Sequence, residues 1–310
     1  MNRVAIIANP AAGNKKLLGK LEMIQKKLEQ KSPDVGVYLV SKPGDGTEIV
    51  RSIANHVDMI VSVGGDGTVH ELINALCPLP QRPIFAILPG GTCNDFSRTL
   101  GISQEPEEAI EQLMEGKIAP VDVGKHNDRY FLNFWGVGLI TQVSEQIDPD
   151  IKRDWGRLAY YLSAVQSFSQ PPSFFLEVTS ESHYFRGYAT MMIVGNGSYV
   201  GGMETYFPRN NVQDGLLDVL IIRKASLEAL RSILYSHLID ERPNSEDLFY
   251  FQAKSLQINT HPVQKVDCDG EKKTFTPATL TILPKHLQMV VGHDFIQRTR
   301  HFFSIEHFDL

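Results

Sequence analysis

The part of the chain before Pro120 alternates between short apolar runs and amphipathic segments. The apolar runs are rich in β-branched residues and have the length of buried strands, whereas the segments between them repeat apolar positions with helical spacing. The predicted strands are Val4–Ala8, Val35–Ser41, Met59–Val63 and Pro83–Leu88, and the predicted helices are Lys15–Gln30, Thr47–Asn55 and Thr68–Leu76. Strands that alternate with helices form a parallel sheet that is covered on both faces. We therefore expect a doubly wound α/β domain.

The pattern changes after Pro120. Runs rich in Tyr, Phe, Val and Ile follow one another closely, and turn signals such as Asn196-Gly197 and Asp269-Gly270 separate many of them. This pattern predicts an antiparallel β domain with two helical interruptions. The strands are expected at Tyr130–Phe134, Phe174–Thr179, Tyr184–Val194, Leu216–Ile222, Leu256–Asn259, Gln264–Cys268, Leu280–Leu283 and Leu287–Val291, and the helices near Arg157–Phe168 and Leu227–His237.

Two domains follow from this change of pattern. The first is predicted to comprise residues 1–124 and to be joined by a C-terminal helix over residues 294–310. The second is predicted to comprise residues 125–293. A chain of 310 residues is long enough for two domains, each with its own core.

The loop Gly64-Gly65-Asp66-Gly67-Thr68 follows directly on a predicted buried strand. Because glycine has no Cβ, the backbone N–H groups of such a loop can approach a ligand closely. Together with the N-terminus of the helix expected at Thr68, these groups form an anion site. The carboxylate of Asp66 would repel a phosphate, and it is suited to bind Mg²⁺ or a water on that metal. We predict a nucleotide phosphate loop; the alternative is a tight turn in which Thr68 only caps the helix.

Two further loops leave predicted strands at the same edge of the sheet. They are Asn9–Gly13 and Pro89–Asp95, and the second again offers glycines, a hydroxyl group and a carboxylate. In sheets of this kind, ligands bind outside the carboxyl ends of the strands. We therefore expect these loops to lie beside Gly64–Thr68 and to contribute to the same site.

Composition excludes several classes of protein. The chain is 42% hydrophobic and 21% charged, which is typical of a soluble globular protein. Its apolar runs are shorter than the ~18 residues of a membrane-spanning helix, and Val4–Ala8 is too short for a signal peptide, so we expect a cytoplasmic protein. The widely spaced Cys77, Cys93 and Cys268 indicate neither a zinc site nor a disulfide framework. A net charge of −6 disfavours nucleic acid as a partner.

Five short segments together resemble a known family. They are Asn9-Pro10-Ala11-Ala12-Gly13, Gly64–Thr68, Pro89–Phe96, Asp214–Asp218 and Asp269-Gly270-Glu271. In this order, they resemble the soluble bacterial diacylglycerol kinase family of lipid kinases, which shares a superfamily with sphingosine kinases, NAD kinases and phosphofructokinases. The glycine–aspartate loop is common to the superfamily, whereas the ordered set is more specific and extends over nearly the whole chain. The resemblance implies an N-terminal α/β nucleotide domain and a C-terminal β-sandwich-like domain with a cleft between them.

The resemblance also implies roles for individual residues. Glu271 would be the general base, and Asp66 and Asp95 would serve the metal–phosphate site. A structural Mg²⁺ would be bound by the carboxylate of Asp214 and by backbone oxygens of Asn211 and Leu216. The residues that would contact ATP are Ser41, Gly64, Gly65, Asp66, Gly67, Thr68, Val69, His70, Thr92 and Asn94.

Three positions depart from the pattern of the family. Ala12 stands where a serine is usual, Cys93 replaces a common threonine, and Ser41 replaces a threonine but keeps its hydroxyl group. None of these differences removes a carboxylate, so activity as an ATP-dependent kinase remains the expectation.

A lipid substrate requires contact with a membrane, and the resemblance implies a diacylglycerol that is converted to phosphatidic acid at the inner face of the membrane. Lys16, Lys20, Lys27 and Lys31 form a stripe that would suit anionic headgroups, or would be an ordinary solvated helix face. Five aromatic residues would line a lipid slot or belong to the core: Trp135, Trp155, Tyr160, Tyr161 and Tyr199. Family precedent suggests a homodimer.

Two other functions stay open from the sequence. One is a kinase of the same superfamily that acts on another lipid or on a soluble acceptor such as NAD or a sugar phosphate. The other is a nucleotide- or lipid-binding regulator without catalytic activity. The paired segments at Asp214 and Asp269 disfavour a soluble acceptor, and the presence of Asp66, Asp95 and Glu271 together disfavours the regulator.

Overall fold

The computed structural model describes residues 2–11, 19–141, 173–204, 207, 211–224, 226, 228–229, 232 and 245–295. The chain divides into two compact units: unit 1 contains the residues up to Val121 and those from Lys285 onward, and unit 2 contains Asp122–Pro284. The helix predicted near 157–168 lies outside the described residues. Most of the helix predicted near 227–237, and nearly all of the helix predicted over 294–310, also lie outside them. The same is true of Lys16, Trp155, Tyr160 and Tyr161.

Unit 1 contains a parallel sheet in the order β2–β1–β3–β4, which confirms the predicted α/β class. Residue Met289 adds a parallel pairing with Phe85 of β4. The strands are β1 (Arg3–Ala8), β2 (Asp34–Leu39), β3 (Met59–Gly64) and β4 (Ile84–Pro89). The helices are α1 (Leu21–Glu29), α2 (Asp45–Ile53), α3 (Asp66–Leu76), α4 (Asp95–Thr99) and α5 (Pro106–Glu115), with a 3₁₀ turn at Ala54–His56.

Helix α3 corrects one sequence prediction. It begins at Asp66 and not at Thr68, because Gly65 is extended and serves as the N-cap. An acidic side chain in the first turn is favourable there, since it interacts with the positive end of the helix dipole. Asp66 is therefore the first residue of a helix and not the middle of a loop. Helix α5 was not predicted, although Pro106 in its first turn is a common start signal.

Among the described residues, unit 2 contains two larger antiparallel sheets, in the orders β18–β15–β8–β9 and β14–β13–β10–β7–β16–β17, and a two-stranded sheet formed by β11 and β12. Side chains from both sheets, among them Trp135, Val219 and Leu280, pack into one buried cluster. The predicted β-sandwich-like class is confirmed, and Trp135 belongs to its core. The strands are β5 (Ile118–His126), β6 (Arg129–Phe131), β7 (Phe134–Gly138), β8 (Phe174–Thr179), β9 (Tyr184–Ala189), β10 (Met191–Gly195), β11 (Tyr199–Val200), β12 (Met203–Glu204), β13 (Leu217–Ile222), β14 (Leu248–Ala253), β15 (Ser255–His261), β16 (Lys265–Cys268), β17 (Glu271–Phe275) and β18 (Ala278–Val290).

Some strand boundaries differ from those predicted from the apolar runs. The two strands predicted at 280–283 and 287–291 are one strand, β18, and the run predicted at 184–194 is divided into β9 and β10. Strand β17 was missed because its sequence, Glu-Lys-Lys-Thr-Phe, contains three charged residues and lies at the edge of its sheet. Charged side chains have low β-propensity, but an edge strand can present them to solvent.

His126 is a buried polar residue in the interior of unit 2. Its ring is 1% exposed and lies edge-on to the ring of Trp135, with 5.9 Å between the ring centroids. Burial lowers the pKa of His126 to about 4, and the charge of nearby Arg129 acts in the same direction. The ring is therefore neutral in the folded protein at neutral pH.

We expect the stability of the protein to contain a pH-dependent contribution from His126. Its folded-state pKa lies below the ordinary value of 6.5, so this contribution is fully present above pH 6.5 and is lost as the pH falls towards about 4. Denaturant unfolding of the parent protein and of His126→Phe should show a smaller loss across this range in the variant. His56→Asn, at an exposed histidine, is the control, and an equal loss in all three proteins would contradict the assignment.

Candidate functional site

The two glycine-rich loops of unit 1 are in direct backbone contact. The N–H of Gly90 donates to the carbonyl oxygen of Gly64 at 2.8 Å. A Cβ placed on Gly91 would lie 2.6 Å from the Cα of Gly65, and one on Gly65 would lie 3.0 Å from the Cα of Gly91. Side chains at these positions would push the strand ends apart, so glycine is needed here for the close approach of the two backbones. The two loops form one continuous backbone surface.

The first loop also reaches this surface. The side-chain amide of Asn9 donates to the hydroxyl oxygen of Thr68 at 3.0 Å, and the backbone N–H of Asn9 donates to the carbonyl of Val63. The predicted adjacency of the three loops is therefore confirmed for their described residues. Ala12 and Gly13 of the first loop lie outside the described residues.

Asp66 connects the Gly64–Thr68 loop to the start of α4. Its Oδ2 accepts a hydrogen bond from the N–H of Asn94 at 2.9 Å, and its Oδ1 accepts one from the N–H of Asp95 at 2.7 Å. The two oxygens of one carboxylate thus satisfy two backbone donors that a helix N-terminus leaves unpaired. This places Asp66 and Asp95 side by side, as expected, and it gives Asp66 a positioning role that the sequence did not reveal.

Asn94 completes the second loop. It adopts a left-handed conformation with φ 53°, which asparagine tolerates better than most residues. Its Oδ1 accepts from the N–H of Gly91 at 2.8 Å, and its Nδ2 donates to the carbonyl of Gly91 at 3.1 Å and to Oε1 of Gln104 at 3.1 Å. The buried Asn94 side chain therefore supports the loop from within. Of the other predicted contacts, Gly67 and Thr92 are exposed, whereas Val69 and His70 are buried.

The loop that contains Ser41 is fixed by two carboxylates. Oδ2 of Asp45 accepts from the backbone N–H groups of Ser41 and Lys42, at 2.9 and 3.0 Å. Oε1 of Glu71, on helix α3, accepts from the N–H groups of Gly44 and Thr47, at 3.1 Å each. Glu71 thereby links the start of α2 to helix α3, which begins at the Gly64–Thr68 loop. Sequence interpretation missed Glu71. The residue lies one helical turn after Thr68 on α3, and this position could have identified it as a residue that supports the neighbouring loops.

In unit 2, the turn Asp269-Gly270 orients the segment that contains Glu271. Both turn residues have positive φ, 50° and 89°, as expected for a tight hairpin between β16 and β17. The carboxylate of Asp269 accepts three backbone hydrogen bonds, from Leu132 at 2.7 Å and from Asn133 and Phe134 at 2.9 Å each. These bonds join the hairpin to the strand beside it and fix the position from which Glu271 projects.

Glu271 itself is partly accessible. Its side chain is 35% exposed, and its Oε2 lies 2.7 Å from Nζ of Lys273, two residues along the same strand. Asp267, which is buried, accepts from the N–H of Gly270 at 2.9 Å and lies 4.0 Å from Nζ of Lys272. The carboxylate of Glu271 is thus accompanied by a cation and is open to approach.

The segment Asn211–Leu216 forms a compact turn. The carbonyl of Asn211 accepts from the N–H of Asp214 at 3.3 Å, and Oδ1 of Asp214 accepts from the N–H of Leu216 at 2.9 Å. The buried Asp122 accepts from the N–H of Gly215 at 2.7 Å. The turn therefore brings together the three residues that the resemblance assigns to a structural cation.

Electrostatics at this turn are unfavourable for the ionised form of Asp214. Burial raises the pKa of Asp214 to about 7; the hydrogen bond from Leu216 opposes this shift, and the nearby carboxylates of Asp218 and Asp122 add to it. Asp218 is itself buried and accepts hydrogen bonds from Tyr250 and Gln252. Sequence interpretation missed Asp122, although a single acid inside the apolar run Val121-Asp122-Val123 was a usable signal.

The lysine stripe predicted on the first helix is not a free row of cations among the described residues. Lys20 pairs with Glu107, and Lys31 donates to the carbonyl of Met114, so both are tied to helix α5. Lys20 precedes α1 and Lys31 follows it, because the described helix extends only over Leu21–Glu29. These contacts favour the interpretation of the stripe as an ordinary helix surface.

Comparison with known proteins identifies the family. The chain is 30% identical over 293 residues to the diacylglycerol kinase of Bacillus subtilis (strain 168), a match that covers 94% of this chain and 97% of that relative. The chain belongs to the bacterial diacylglycerol kinase family. Residues 3–126 match the diacylglycerol kinase catalytic domain, and residues 136–291 match the YegS C-terminal NAD kinase beta sandwich-like domain.

Two further relatives agree with this membership. The diacylglycerol kinase of Staphylococcus saprophyticus is 31% identical over 293 residues, which cover 94% of this chain and 96% of the relative. The crystal structure of a diacylglycerol kinase from Bacillus anthracis str. Sterne is similar with a TM-score of 0.79 at 33% identity, and the match covers 95% of this chain and 98% of that one.

Membership makes the chain a lipid kinase of the diacylglycerol kinase type, and a kinase of this family implies a nucleotide and a lipid as substrates. No helix among the described residues is long and apolar enough to cross a membrane.

We expect Asp66→Asn to lower stability through the loss of a backbone contact. An asparagine has only one acceptor oxygen and turns an N–H₂ group towards the second donor, so one of the two amides at the start of α4 loses its partner. An unsatisfied buried donor costs about 1–3 kcal/mol, which chemical denaturation can measure as a fall in the free energy of unfolding.

Asp45→Asn is the matched control for this change. A single oxygen of Asp45 accepts both of its backbone hydrogen bonds, so an asparagine can preserve them, and we expect a loss well below that of Asp66→Asn. If the free energy of unfolding fell equally in both variants, the use of both Asp66 oxygens as acceptors would not contribute to stability.

Proposed function

We propose that the protein is an ATP-dependent diacylglycerol kinase, which transfers the γ-phosphate to the hydroxyl group of a membrane diacylglycerol and forms phosphatidic acid. The observation that supports this proposal best is the continuous backbone surface of Gly64, Gly65, Gly90 and Gly91 at the N-terminus of α3. Such a surface offers several N–H donors and the positive end of a helix dipole to an anion. The names of the relatives favour diacylglycerol as the acceptor.

The nucleotide would be held by unit 1. The N–H groups at the start of α3, over Gly65–Thr68, would bind the phosphates, with Thr92 on the adjoining loop, which Asn94 supports. Ser41 would contact the nucleotide from the loop that Asp45 and Glu71 hold in place. Val69 and His70 are buried beneath the loop and would support it rather than touch the phosphates with their side chains.

Phosphoryl transfer requires a general base and neutralisation of the phosphate charge. Glu271 would take the proton of the attacking hydroxyl group, the oxygen would form a bond to the γ-phosphorus, and the bond to the leaving ADP oxygen would break. Asp95 and the remaining acceptor capacity of Asp66 would bind the Mg²⁺ that accompanies ATP, which neutralises phosphate charge. Oε2 of Glu271 lies 2.7 Å from Nζ of Lys273, and its side chain is accessible to a substrate hydroxyl group.

A divalent cation fits the turn at Asn211–Leu216. Carboxylate and carbonyl oxygens are the ligands that Mg²⁺ prefers, and the carboxylate of Asp214 lies near the buried carboxylates of Asp122 and Asp218. Asp214 would bind the cation through its carboxylate, and Asn211 and Leu216 through their backbone oxygens. The cation would favour the ionised form of Asp214 against the effects of burial and of the nearby carboxylates of Asp218 and Asp122, and it would stiffen unit 2.

We expect Mg²⁺ to stabilise the protein through this turn. At a Mg²⁺ concentration one hundred times the dissociation constant, binding to the folded state adds about 2.7 kcal/mol to the free energy of unfolding. Thermal and denaturant unfolding with Mg²⁺ and with EDTA should show this gain in the parent protein and a much smaller one in Asp214→Asn. Asp128→Asn, at an exposed carboxylate of the same unit, should respond like the parent. The same gain in all three proteins would exclude the turn as the binding site.

An acceptor panel tests the proposed reaction. With γ-labelled ATP, we expect label to pass to diacylglycerol and not to undecaprenol, sphingoid bases, phosphatidylglycerol, NAD or fructose 6-phosphate. Glu271→Gln should lose about 10²–10⁴-fold in kcat, the usual contribution of a positioned base, while ADP affinity measured by calorimetry stays close to that of the parent.

Glu246→Gln, at an exposed glutamate of unit 2, is the matched control and should keep the parental rate. A parental rate in Glu271→Gln would exclude Glu271 as the base. Transfer of the phosphate to another acceptor would show that the protein is a kinase with a different substrate. Transfer to none of the acceptors would favour a nucleotide- or lipid-binding regulator.

A further inference from the structure

The hairpin of β16 and β17 contains a β-bulge between its turn and its far end. The antiparallel pairs on the two sides of the bulge are Val266 with Thr274 and Cys268 with Glu271. Between these pairs, β16 contributes only Asp267, whereas β17 contributes both Lys272 and Lys273. Bulges of this kind are frequent next to active sites, where they change the direction of a side chain.

The bulge determines the face of the sheet from which Glu271 projects. The two-residue turn Asp269-Gly270 makes Cys268 and Glu271 the last pair of the hairpin. Without the extra residue in β17, Cys268 would lie opposite Lys272, and a cation would stand beside the buried cluster to which Cys268 belongs. Because a shift of one residue exchanges the two faces of a strand, the bulge reverses the face of Glu271 relative to the far half of β17.

Asp267 lies at the bulge and contacts the residues on both sides of Glu271. Its side chain is only 2% exposed. Oδ1 accepts a hydrogen bond from the N–H of Gly270 at 2.9 Å, and Oδ2 lies 4.0 Å from Nζ of Lys272. A single buried carboxylate therefore holds the residue before the proposed base with one oxygen and faces the residue after it with the other.

Lys272 connects this carboxylate to the segment that follows β7. Its side chain is 16% exposed, and its Nζ donates to the carbonyl oxygen of Thr141 at 3.1 Å. Charges that are largely removed from water are poorly screened, so the loss of one member of such a pair leaves the other uncompensated. A displacement of the backbone at Glu271 would disturb the contacts of Lys272 with both Asp267 and Thr141.

A carboxylate that merely stabilises the hairpin is the alternative interpretation. Asp269 has such a role, because it accepts its three hydrogen bonds from a neighbouring segment of the chain. The contacts of Asp267 instead involve the two residues that flank Glu271. Position matters greatly for a general base, since a misplacement of about 1 Å can cost about 10²-fold in rate.

We propose that Asp267 is a positioning residue for Glu271, which it holds in place through Gly270 on one side and Lys272 on the other. This inference rests on the proposed function, in which Glu271 is the general base. The bulge sets the face from which Glu271 projects, and Asp267 limits the motion that remains.

Steady-state kinetics of Asp267→Asn with ATP and diacylglycerol test the proposal. An asparagine has only one acceptor oxygen, so either Gly270 or Lys272 loses its partner. We expect kcat to fall about tenfold, which is part of the cost of a misplaced base. The KM for ATP should stay close to the parental value, because unit 1 would hold the nucleotide. A raised KM with a parental kcat would overturn the proposal.

A double-mutant cycle with Glu271→Gln distinguishes positioning from a general effect on the unit. Once residue 271 cannot act as a base, its position no longer matters, so Asp267→Asn should lower kcat little further in that background. A carboxylate that only stabilises the fold would lower kcat by the same factor in both backgrounds. That result would overturn the proposal.

Lys272→Met tests the same contacts without a change at Asp267. Methionine keeps an unbranched apolar side chain but removes the charge, so Oδ2 of Asp267 loses its counter-ion. We expect kcat to fall, again with a KM for ATP close to the parental value. A parental kcat in Lys272→Met and in Asp267→Asn would exclude a positioning role for this pair.

Glu181→Gln is the matched control in the same unit. The carboxylate of Glu181 also accepts backbone hydrogen bonds, from the N–H groups of Lys254 at 2.6 Å and Ser255 at 3.4 Å, but it belongs to the loop between β8 and β9. We expect a parental kcat in this variant. An equal fall in kcat in Glu181→Gln would show that the loss of any loop carboxylate lowers the rate, which would contradict a specific role for Asp267.

NMR order parameters separate this inference from the proposed function. For the backbone N–H groups of Gly270, Glu271 and Lys272, they should fall in Asp267→Asn and stay parental in Glu181→Gln. Parental order parameters in Asp267→Asn would overturn the inference, whether or not phosphate is transferred. If the parent protein phosphorylates no lipid alcohol, the proposed function fails, while the order parameters still decide whether Asp267 holds the segment that contains Glu271.

Discussion

The close approach of two pairs of glycines is the constraint on which the nucleotide-binding side of the molecule depends. Gly64 and Gly65 end one strand, Gly90 and Gly91 follow the next, and no Cβ fits between Gly65 and Gly91. Because parallel strands are already in register at this point, the glycines let the loops touch where ordinary residues would separate them. The contact in turn brings Asp66 within reach of the amides that begin α4. One backbone contact thus fixes the surface of the two glycine loops and the two acidic residues beside it.

The carboxylates of the two units share a second feature: many of them bind backbone amides. Asp66 accepts two such hydrogen bonds, Glu71 two and Asp269 three, each from a segment distant in sequence. A carboxylate that accepts backbone N–H groups is fixed in orientation and in turn fixes the loop that donates. Charge-assisted hydrogen bonds of this type are stronger than neutral ones, which suits loops that must keep their shape without regular secondary structure. Several loops of this protein thus take their shape from carboxylates that bind backbone amides.

Local patterns made much of the fold predictable. Continuous apolar runs identified β1, β3 and β4 because strands of a parallel sheet are buried on both faces, and the glycine loops after β3 and β4 were visible as sequence. Strand β17 was not predictable, since its charged residues are stabilised by pairing with β16 and by exposure at an edge rather than by propensity. Asp66 was recognised as important, but its bonds to Asn94 and Asp95 depend on a contact between residues 28 and 29 positions apart, which no local pattern encodes. Asp122 and Glu71 were missed for the same reason, because their significance lies in the partners that folding brings to them.

Glu71 makes the N-termini of helices α2 and α3 electrostatically different. Its carboxylate occupies the amides at the start of α2, so the positive end of that helix dipole is already compensated from within the protein. At the start of α3, Asp66 directs its two carboxylate oxygens to the amides of Asn94 and Asp95 and not to amides of α3 itself. We therefore expect an anionic group to favour the start of α3 over the start of α2, and the region near Ser41 to suit an uncharged portion of a ligand. A single internal acid in this way makes one end of the surface neutral, while the other end would attract anions. This difference would determine the direction in which a molecule with one charged end lies on the surface.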